Sequence, residues 1–339
     1  MPSAMFDNVA IVGATGAVGR EFIRLIEERG LRAKRFTLLA STRSMGTTVD
    51  VNGHPHEVRD LADASFEGID IAFFSAGGGR SREFAPKAAA AGAVVIDNSS
   101  AFRMDPTVPL VVPEINPDDA RNHQGIIANP NCSTIIMAVP VFPLHRVNRL
   151  RRIVVSTYQA ASGAGLSAMQ ELEEQSRDVL AGKPPKPRAF PFPIAFNLFS
   201  HNSTIGDHGY NEEEIKMVRE TRKIFHEPEL AVTATCIRVP VMRAHSESIN
   251  LTFADPMTPE AVREILSDAP GVRVVDERRP QHFPMPIEAD GADDILVGRI
   301  RQDISQPDGC GIDLFVAGDQ LRKGAALNGI QIAELLAKA

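Results

Sequence analysis

VAIVGATGAVG (residues 9–19) runs from an apolar stretch through a glycine turn into an amphipathic segment. Residues 9–12 read as a short buried strand. Val18, Phe22, Leu25 and Ile26 then recur at helical spacing, and Gly30 stands where the residue after a helix is expected. Between strand and helix, Gly13, Gly16 and Gly19 are spaced G-x-x-G-x-x-G. This departs from G-x-G-x-x-G, because Ala14 holds the first glycine position of that pattern. A strand–glycine turn–helix unit gathers backbone N–H groups and the positive end of a helix, which suits a pyrophosphate. The same turn also serves as a tight connection with no ligand.

Working outward, residues 36–40, 70–74 and 93–96 read as further strands, and 81–91 as a helix. Apolar strands alternating with helices argue a parallel sheet covered on both faces. After about Asn131 the texture changes. RRIVVSTYQ, VTATCIRVPV, ESINLTFA, GVRVVDE, DILVGRI and IDLFVAG are longer strands with partial alternation. They predict an α+β domain with a mostly antiparallel sheet and helices on one face. KPPKPRAFPFP (183–193) is too proline-rich for helix or central strand and is expected to be an irregular surface excursion. Residues 321–339 read as one helix that returns to the first domain. The expected fold class is therefore α/β, a Rossmann-like N-terminal domain (1–131 plus 321–339) joined to an α+β domain with a mostly antiparallel sheet (132–320).

The chain has 339 residues, a length that favours two domains. It is 43% hydrophobic with a diffuse net charge of -7. No basic run is interleaved with aromatics, so no nucleic-acid partner is expected. No apolar stretch approaches the ~20 residues of a membrane span, so no membrane role is expected. The N-terminus has no basic region before its first strand, so no secretion signal is expected. Three cysteines do not suggest a disulfide framework, and a reducing, cytoplasmic location fits.

Where a second strand ends, an NAD enzyme usually carries Asp or Glu for the ribose 2′-hydroxyl. Here Ser41, Thr42 and Arg43 offer hydroxyls and a guanidinium, which favour NADP, although a loop arginine is often only solvated. SAGGGR (75–80) ends another strand and either borders the cofactor or is a simple loop. In NPNCST, Cys132 falls in a first helical turn with Asn131 as N-cap. A helix N-terminus stabilises a thiolate and a developing oxyanion, but a free cysteine is also a common packing residue. Cys236 in a strand and Cys310 in a turn read as structural. Of nine histidines, His245 in RVPVMRAHSES, just after a strand, is the best base; His54 and His56 lie in a polar loop. A hydride acceptor with a thiolate suggests aldehyde oxidation through a thioester. Transfer to phosphate would need cations, for which Arg103, Lys216 and Arg238 are candidates. No metal is called for.

Together VAIVGATGAVG, DNSSAFRMD, VPEIN, NPNCST, TYQAASGAG, NEEEIKM and RVPVMRAHSE, in order over nearly the whole chain, resemble the aspartate-semialdehyde dehydrogenase family. The resemblance implies NADP-dependent reduction of L-4-aspartyl phosphate to L-aspartate 4-semialdehyde, with release of phosphate, in lysine, methionine and threonine biosynthesis. It implies Cys132 as nucleophile, Asn131 at the oxyanion, His245 as general acid/base and Gln159 as substrate orienter. Arg238 would grip the substrate carboxylate, Glu213 the amino group, and Arg103 and Lys216 the phosphate. Glu212, Glu213 and Glu214 are consecutive, and Glu213 is chosen because it shares a helical face with Lys216. NADP would lie along Gly13, Ala14, Thr15, Gly16, Ala17 and Val18. It would touch Ser41, Thr42 and Arg43, meet Ser162 and Gly163, and reach Gln320. A homodimer or homotetramer is implied, with LSAMQELEEQSRDVLAG helping to build the interface. The rival readings are N-acetyl-γ-glutamyl-phosphate reductase, whose cysteine stands in a Pro-Gly-Cys-Tyr-Pro context, and a non-catalytic NADP-binding paralogue.

Overall fold

A computed structural model describes residues 5–337 of the chain. These form two compact units, one running to residue 131 and resuming at 325, the other Cys132–Gly324. The expectations of no secretion signal at the N-terminus and of a helix running to residue 339 extend to residues 1–4 and 338–339, which lie outside the described part.

The first unit contains β1 (Phe6–Val12), α1 (Ala17–Glu28), β2 (Ala33–Ala40), β3 (Thr48–Val51), β4 (His54–Asp60), β5 (Ile71–Phe74), α2 (Gly78–Ala90), β6 (Val94–Asp97) and β7 (Ile126–Ala128). Its sheet runs β3-β4-β2-β1-β5-β6-β7, and every pair is parallel except the β3/β4 hairpin at the edge. That hairpin is not legible as an apolar run. Its residues are polar and largely exposed, with Val51 and Val58 its buried apolar anchors. His54 and His56 accordingly sit on a strand rather than in a loop.

Side chains alternate across a strand, so both sheet faces need cover. Val9, Ile11, Phe73 and Ile96 pack under Phe22, Leu25 and Ile26 of α1, and Phe22 stacks on Phe73 at 4.6 Å. The opposite face, with Ala10, Val12, Ala72, Phe74 and Val95, packs on Phe84, Ala85 and Ala88 of α2. Strand order reverses at β1, which has β2 on one side and β5 on the other. Gly13 stands at that reversal with φ +91°, and a Cβ there would lie 2.4 Å from the Ser75 carbonyl oxygen. The turn therefore rests on the end of β5, an approach open only to glycine.

The second unit begins with α3 (Cys132–Val147), β8 (Leu150–Gln159), α4 (Leu166–Leu180), β9 (Phe199–Ser200), α5 (Glu212–Ile224), β10 (Ala231–Arg238) and β11 (His245–Phe253). It continues through α6 (Pro259–Ser267), β12 (Val272–Val274), α7 (Pro286–Ala289), β13 (Ile295–Gln302) and β14 (Gly311–Gly318). The sheet runs β12-β13-β14-β11-β8-β10-β9. Its centre, β13 to β8, is antiparallel, while β12/β13 and β8/β10 are parallel pairs. Residues 133–141 of α3 are buried without a break, as in a helix wrapped on all sides. It packs on α5 and α6 and against β11, β13 and β14.

Two expectations are corrected. KPPKPRAFPFP is irregular, but it is not wholly a surface excursion. Phe190 is buried and packs with Ala168 and Leu172 of α4 and with Ile194 just beyond. The terminal segment is not one helix. A wider turn of π type, Arg322–Ala326, comes first, with the Gly324 N–H bonded to the Asp319 carbonyl at 3.0 Å. The α8 helix (Leu327–Ala337) then joins the first unit through Asn328, which donates to Val111 O and Asn129 Oδ1 (2.9 and 2.6 Å).

Candidate active site

Register builds the second unit's polar centre. Arg238, the last residue of β10, pairs with Gln159, the last of β8. Ser246 pairs with Tyr158, so His245 comes next beside Gln159. His245 opens β11 instead of following a strand. Arg238, Gln159 and His245 thus form one row on the helix-covered face. Two residues deeper, Cys236, Thr157 and Glu247 form the next row.

Ala160 joins two members of the first row. Its carbonyl accepts from Arg238 Nη1 at 3.0 Å, and its N–H donates to His245 Nδ1 at 3.0 Å. The second bond puts the proton of the neutral imidazole on Nε2. His245 is fully buried, and Nε2 has no hydrogen-bond partner among the described residues. Burial first, then the Arg238 charge, push its pKa down to about 3. A Cβ on Gly163 would fall 3.0 Å from His245 Nε2 and 3.2 Å from Arg238 Nη1, so backbone 163 covers both groups closely.

Arg238 is buried, with its guanidinium carbon 5.5 Å from the centre of the Phe190 ring. His201, just past β9, lies with Nε2 2.7 Å from Arg238 Nη2. Burial holds the His201 pKa down at about 4. Both Glu213 and Cys132 act electrostatically on Arg238, which puts the thiol and this carboxylate in the same neighbourhood.

Glu213 comes from the first turn of α5. Its Oε1 accepts from Gln159 Nε2 at 3.1 Å, and its Oε2 from Lys216 Nζ at 3.2 Å. Its neighbours differ. Glu212 is exposed, and Glu214 closes a capping box with Asn211 and accepts from the Cys236 N–H. Lys216 remains partly exposed. Cys132 is the first residue of α3 and is half-buried. A Cβ on Gly324 would stand 3.0 Å from Cys132 Cβ, so the π-type turn lies directly on the thiol-bearing residue. Gln320 accepts from the Ala244 N–H at 2.9 Å and donates to Ser162 Oγ, joining two of the expected cofactor residues beside His245.

In the first unit, Arg103 is buried and donates from Nε to Asn129 O (2.9 Å) and from Nη2 to Asn98 O (3.0 Å). Gly16 caps α1 without a side chain, and the first turn of α1 carries no acidic residue. Those features fit an anion at the helix N-terminus. Thr15 Oγ1 lies 3.1 Å from Ser44 Oγ and links the turn to the segment after β2. Ser41, Thr42 and Arg43 are exposed there, but the Thr42 hydroxyl donates to Asp60. Among the described residues, no side-chain hydrogen bond engages Ser41 Oγ or the Arg43 guanidinium.

Two family models account for most of the chain. The semialdehyde dehydrogenase NAD binding domain matches residues 8–123, and the semialdehyde dehydrogenase dimerisation domain matches 141–323. The aspartate-semialdehyde dehydrogenase of Synechocystis sp. is 55% identical over 99% of this chain and 98% of its own. The chain belongs to the aspartate-semialdehyde dehydrogenase family. Among solved structures of that family, aspartate semialdehyde dehydrogenase II of Vibrio cholerae complexed with ASA is 43% identical. It has a TM-score of 0.95 and covers 98% of each chain. Aspartate semialdehyde dehydrogenase with NADP from Candida albicans is 25% identical, with a TM-score of 0.75 and 98% of each chain covered.

Within this aspartate-semialdehyde dehydrogenase framework, the sequence did not point to His201, Ala160 or Asp319. Asp319 is buried and accepts from Arg243, from the Gly291 N–H and from the N–H groups of Leu321 and Arg322, so it anchors the π-type turn. Gly324 had a signal, since a glycine inside a helical pattern often marks close packing. His201 had none.

The two depressed histidines predict an acid-linked loss of stability. An unfolded histidine titrates near 6.5, above the folded values of about 4 for His201 and about 3 for His245. The unfolded chain therefore takes up these protons first. The stability present above about pH 6.5 is lost as pH falls towards those folded values, on the order of 1–2 kcal/mol per histidine by pH 5. Denaturant unfolding at pH 7 and pH 5 checks this, and His201→Gln should show a shallower loss than the native protein.

Proposed function

We propose that this protein catalyses the NADP-dependent reductive dephosphorylation of L-4-aspartyl phosphate to L-aspartate 4-semialdehyde, and the reverse, through a thioester on Cys132. The observation that carries the reading is the placement of Arg238 and Glu213 around Gln159: Arg238 stands opposite it in the strand register, and Glu213 accepts from its Nε2 at 3.1 Å. Arg238 offers a bidentate fork for an α-carboxylate, and Glu213 an acceptor for an α-ammonium. An N-acetylated substrate has no ammonium for Glu213, and the comparisons do not favour N-acetyl-γ-glutamyl-phosphate reductase.

In the biosynthetic direction, the Cys132 thiolate attacks the acyl carbon, the C–O bond to phosphate breaks, and a thioester remains. Gln159, held by Glu213, orients the acyl group. Arg103 and Lys216 receive the phosphate, and Asn131 with the N–H groups at the start of α3 meets the developing oxyanion. His245 donates from Nε2 to that oxygen; acting as base would need Nδ1 to leave the Ala160 N–H. When bound, NADPH would supply a hydride to the thioester carbon; as the C–S bond breaks, Cys132 leaves as thiolate and the aldehyde is released. Residues 13–18, Ser41 and Arg43 would hold its phosphates, with Thr42 beside them, and Ser162, Gly163 and Gln320 would meet its other end. The cofactor role falls to residues 1–131 with 321–339, and catalysis and dimerisation to 132–320. A homodimer or homotetramer and a cytoplasmic location complete the reading, and light scattering of the purified protein tests the first.

The deciding experiment is an assay of aspartate semialdehyde against N-acetylglutamate semialdehyde, each with phosphate and NADP. Strong preference for the unacetylated aldehyde is expected, and the opposite preference sinks the reading. NADP should outperform NAD, with the advantage reduced in Arg43→Ala.

A further inference from the structure

We propose that His201 is a positioning residue that holds the Arg238 guanidinium in its carboxylate-gripping orientation. This rests on the reading of Arg238 as that grip.

Backbone pairing delivers His201 to Arg238. Strand β9 pairs with the end of β10, Ser200 opposite Ile237 and Phe199 opposite Arg238, and the His201 N–H bonds to Cys236 O at 2.8 Å. The ring thereby reaches Arg238 Nη2 at 2.7 Å. A guanidinium has no acceptor, so His201 Nε2 accepts and the ring proton sits on Nδ1. There it donates to Ser203 Oγ at 3.1 Å, in preference to the Ser203 N–H, which lies 3.3 Å from the same nitrogen and has no lone pair to meet in this tautomer. Ser203 Oγ in turn accepts from the Glu213 N–H at 3.2 Å. His201 thus ties Arg238 to the helix turn that carries Glu213 and Lys216. The other restraints are the Ala160 carbonyl on Nη1 and the Phe190 face.

The chemistry of the acceptor matters. A carboxylate at position 201 would form an ion pair with Arg238 and cancel the charge that recruits the substrate. An imidazole orients the guanidinium without neutralising it. The charged or titratable groups acting on His201 are Glu213, Arg238 and Lys216, and His201 in turn acts on His245. Burial keeps the ring uncharged at neutral pH, so it does not repel Arg238. Without the ring, Nη2 loses its acceptor, Nε already has none among the described residues, and the Ala160 carbonyl on Nη1 alone fixes the fork by hydrogen bonding.

Steady-state kinetics of the full-length protein test this, with aspartate semialdehyde varied and NADP and phosphate saturating. His201→Ala should raise KM for the aldehyde about tenfold, with kcat changed less than about threefold and KM for NADP unchanged. His201→Gln keeps a neutral acceptor and should stay within about twofold of native. His201→Glu should be at least as impaired as His201→Ala. In an Arg238→Lys background, His201→Ala should add little. A native KM in a folded His201→Ala or His201→Glu protein overturns the proposal, as does an undiminished effect in the Arg238→Lys background. If His201→Ala fails to fold, the Gln and Glu variants carry the comparison. A native KM in Arg238→Lys instead overturns the reading of Arg238 as the grip, and the positioning role with it.

Discussion

Cys132→Ala is expected to lower kcat by about 10⁴–10⁶-fold while leaving NADP binding nearly intact. The substitution removes Sγ and keeps Cβ and Cα, the atoms of Cys132 that a Cβ on Gly324 would meet at 3.0 and 3.3 Å, so the close approach of the π-type turn is preserved. The residues proposed for the nucleotide phosphates lie in the first unit, and the thiol lies in the second. Cys236 offers no replacement, because it is fully buried and burial pushes its thiol pKa up. Turnover by stopped-flow absorbance and NADP affinity by fluorescence titration check the two halves. Turnover surviving in the variant would refute the thioester.

His245→Ala should lower kcat by about 10²–10⁴-fold. The Ala160 N–H fixes Nδ1 as acceptor and directs the only ring proton to Nε2. That proton is the donor proposed for the oxygen that gains charge when thiolate adds to the acyl carbon. Because burial and Arg238 hold the His245 pKa near 3, the free protein keeps this tautomer throughout neutral pH. The loss should therefore have the same size at pH 6 and pH 8. A change under tenfold would remove His245 from the acid/base role.

Several parts of this site are legible because they depend on neighbours in the chain. The glycine turn after β1 is a local pattern, as is the start of α3 at Cys132. Helical spacing brings Glu213 to the face of Lys216, where the two meet at 3.2 Å, but Glu212, four residues before Lys216, satisfies the same rule, and only the fold leaves it exposed. The β3/β4 hairpin was not legible, since an exposed edge strand needs few apolar residues. The terminal segment misled because its helical periodicity continues through a π-type turn. That turn is set by Asp319 and by the contact between Gly324 and Cys132, neither of which is periodic.

By itself, the sequence determined that the chain has a strand–glycine turn–helix unit, a cysteine at a helix start and a motif order shared with one enzyme family. These are matters of residue type at short spacing. The tertiary structure alone decided which side chains meet. Gln159 is far along the chain from Arg238 and His245, and the three become neighbours through strand register. Ala160 serves two of them through its backbone, where residue type leaves no mark. His201 reaches Arg238 only because a two-residue edge strand pairs with β10. Such contacts follow from hydrogen-bond ladders between distant segments, and no local pattern encodes the partner.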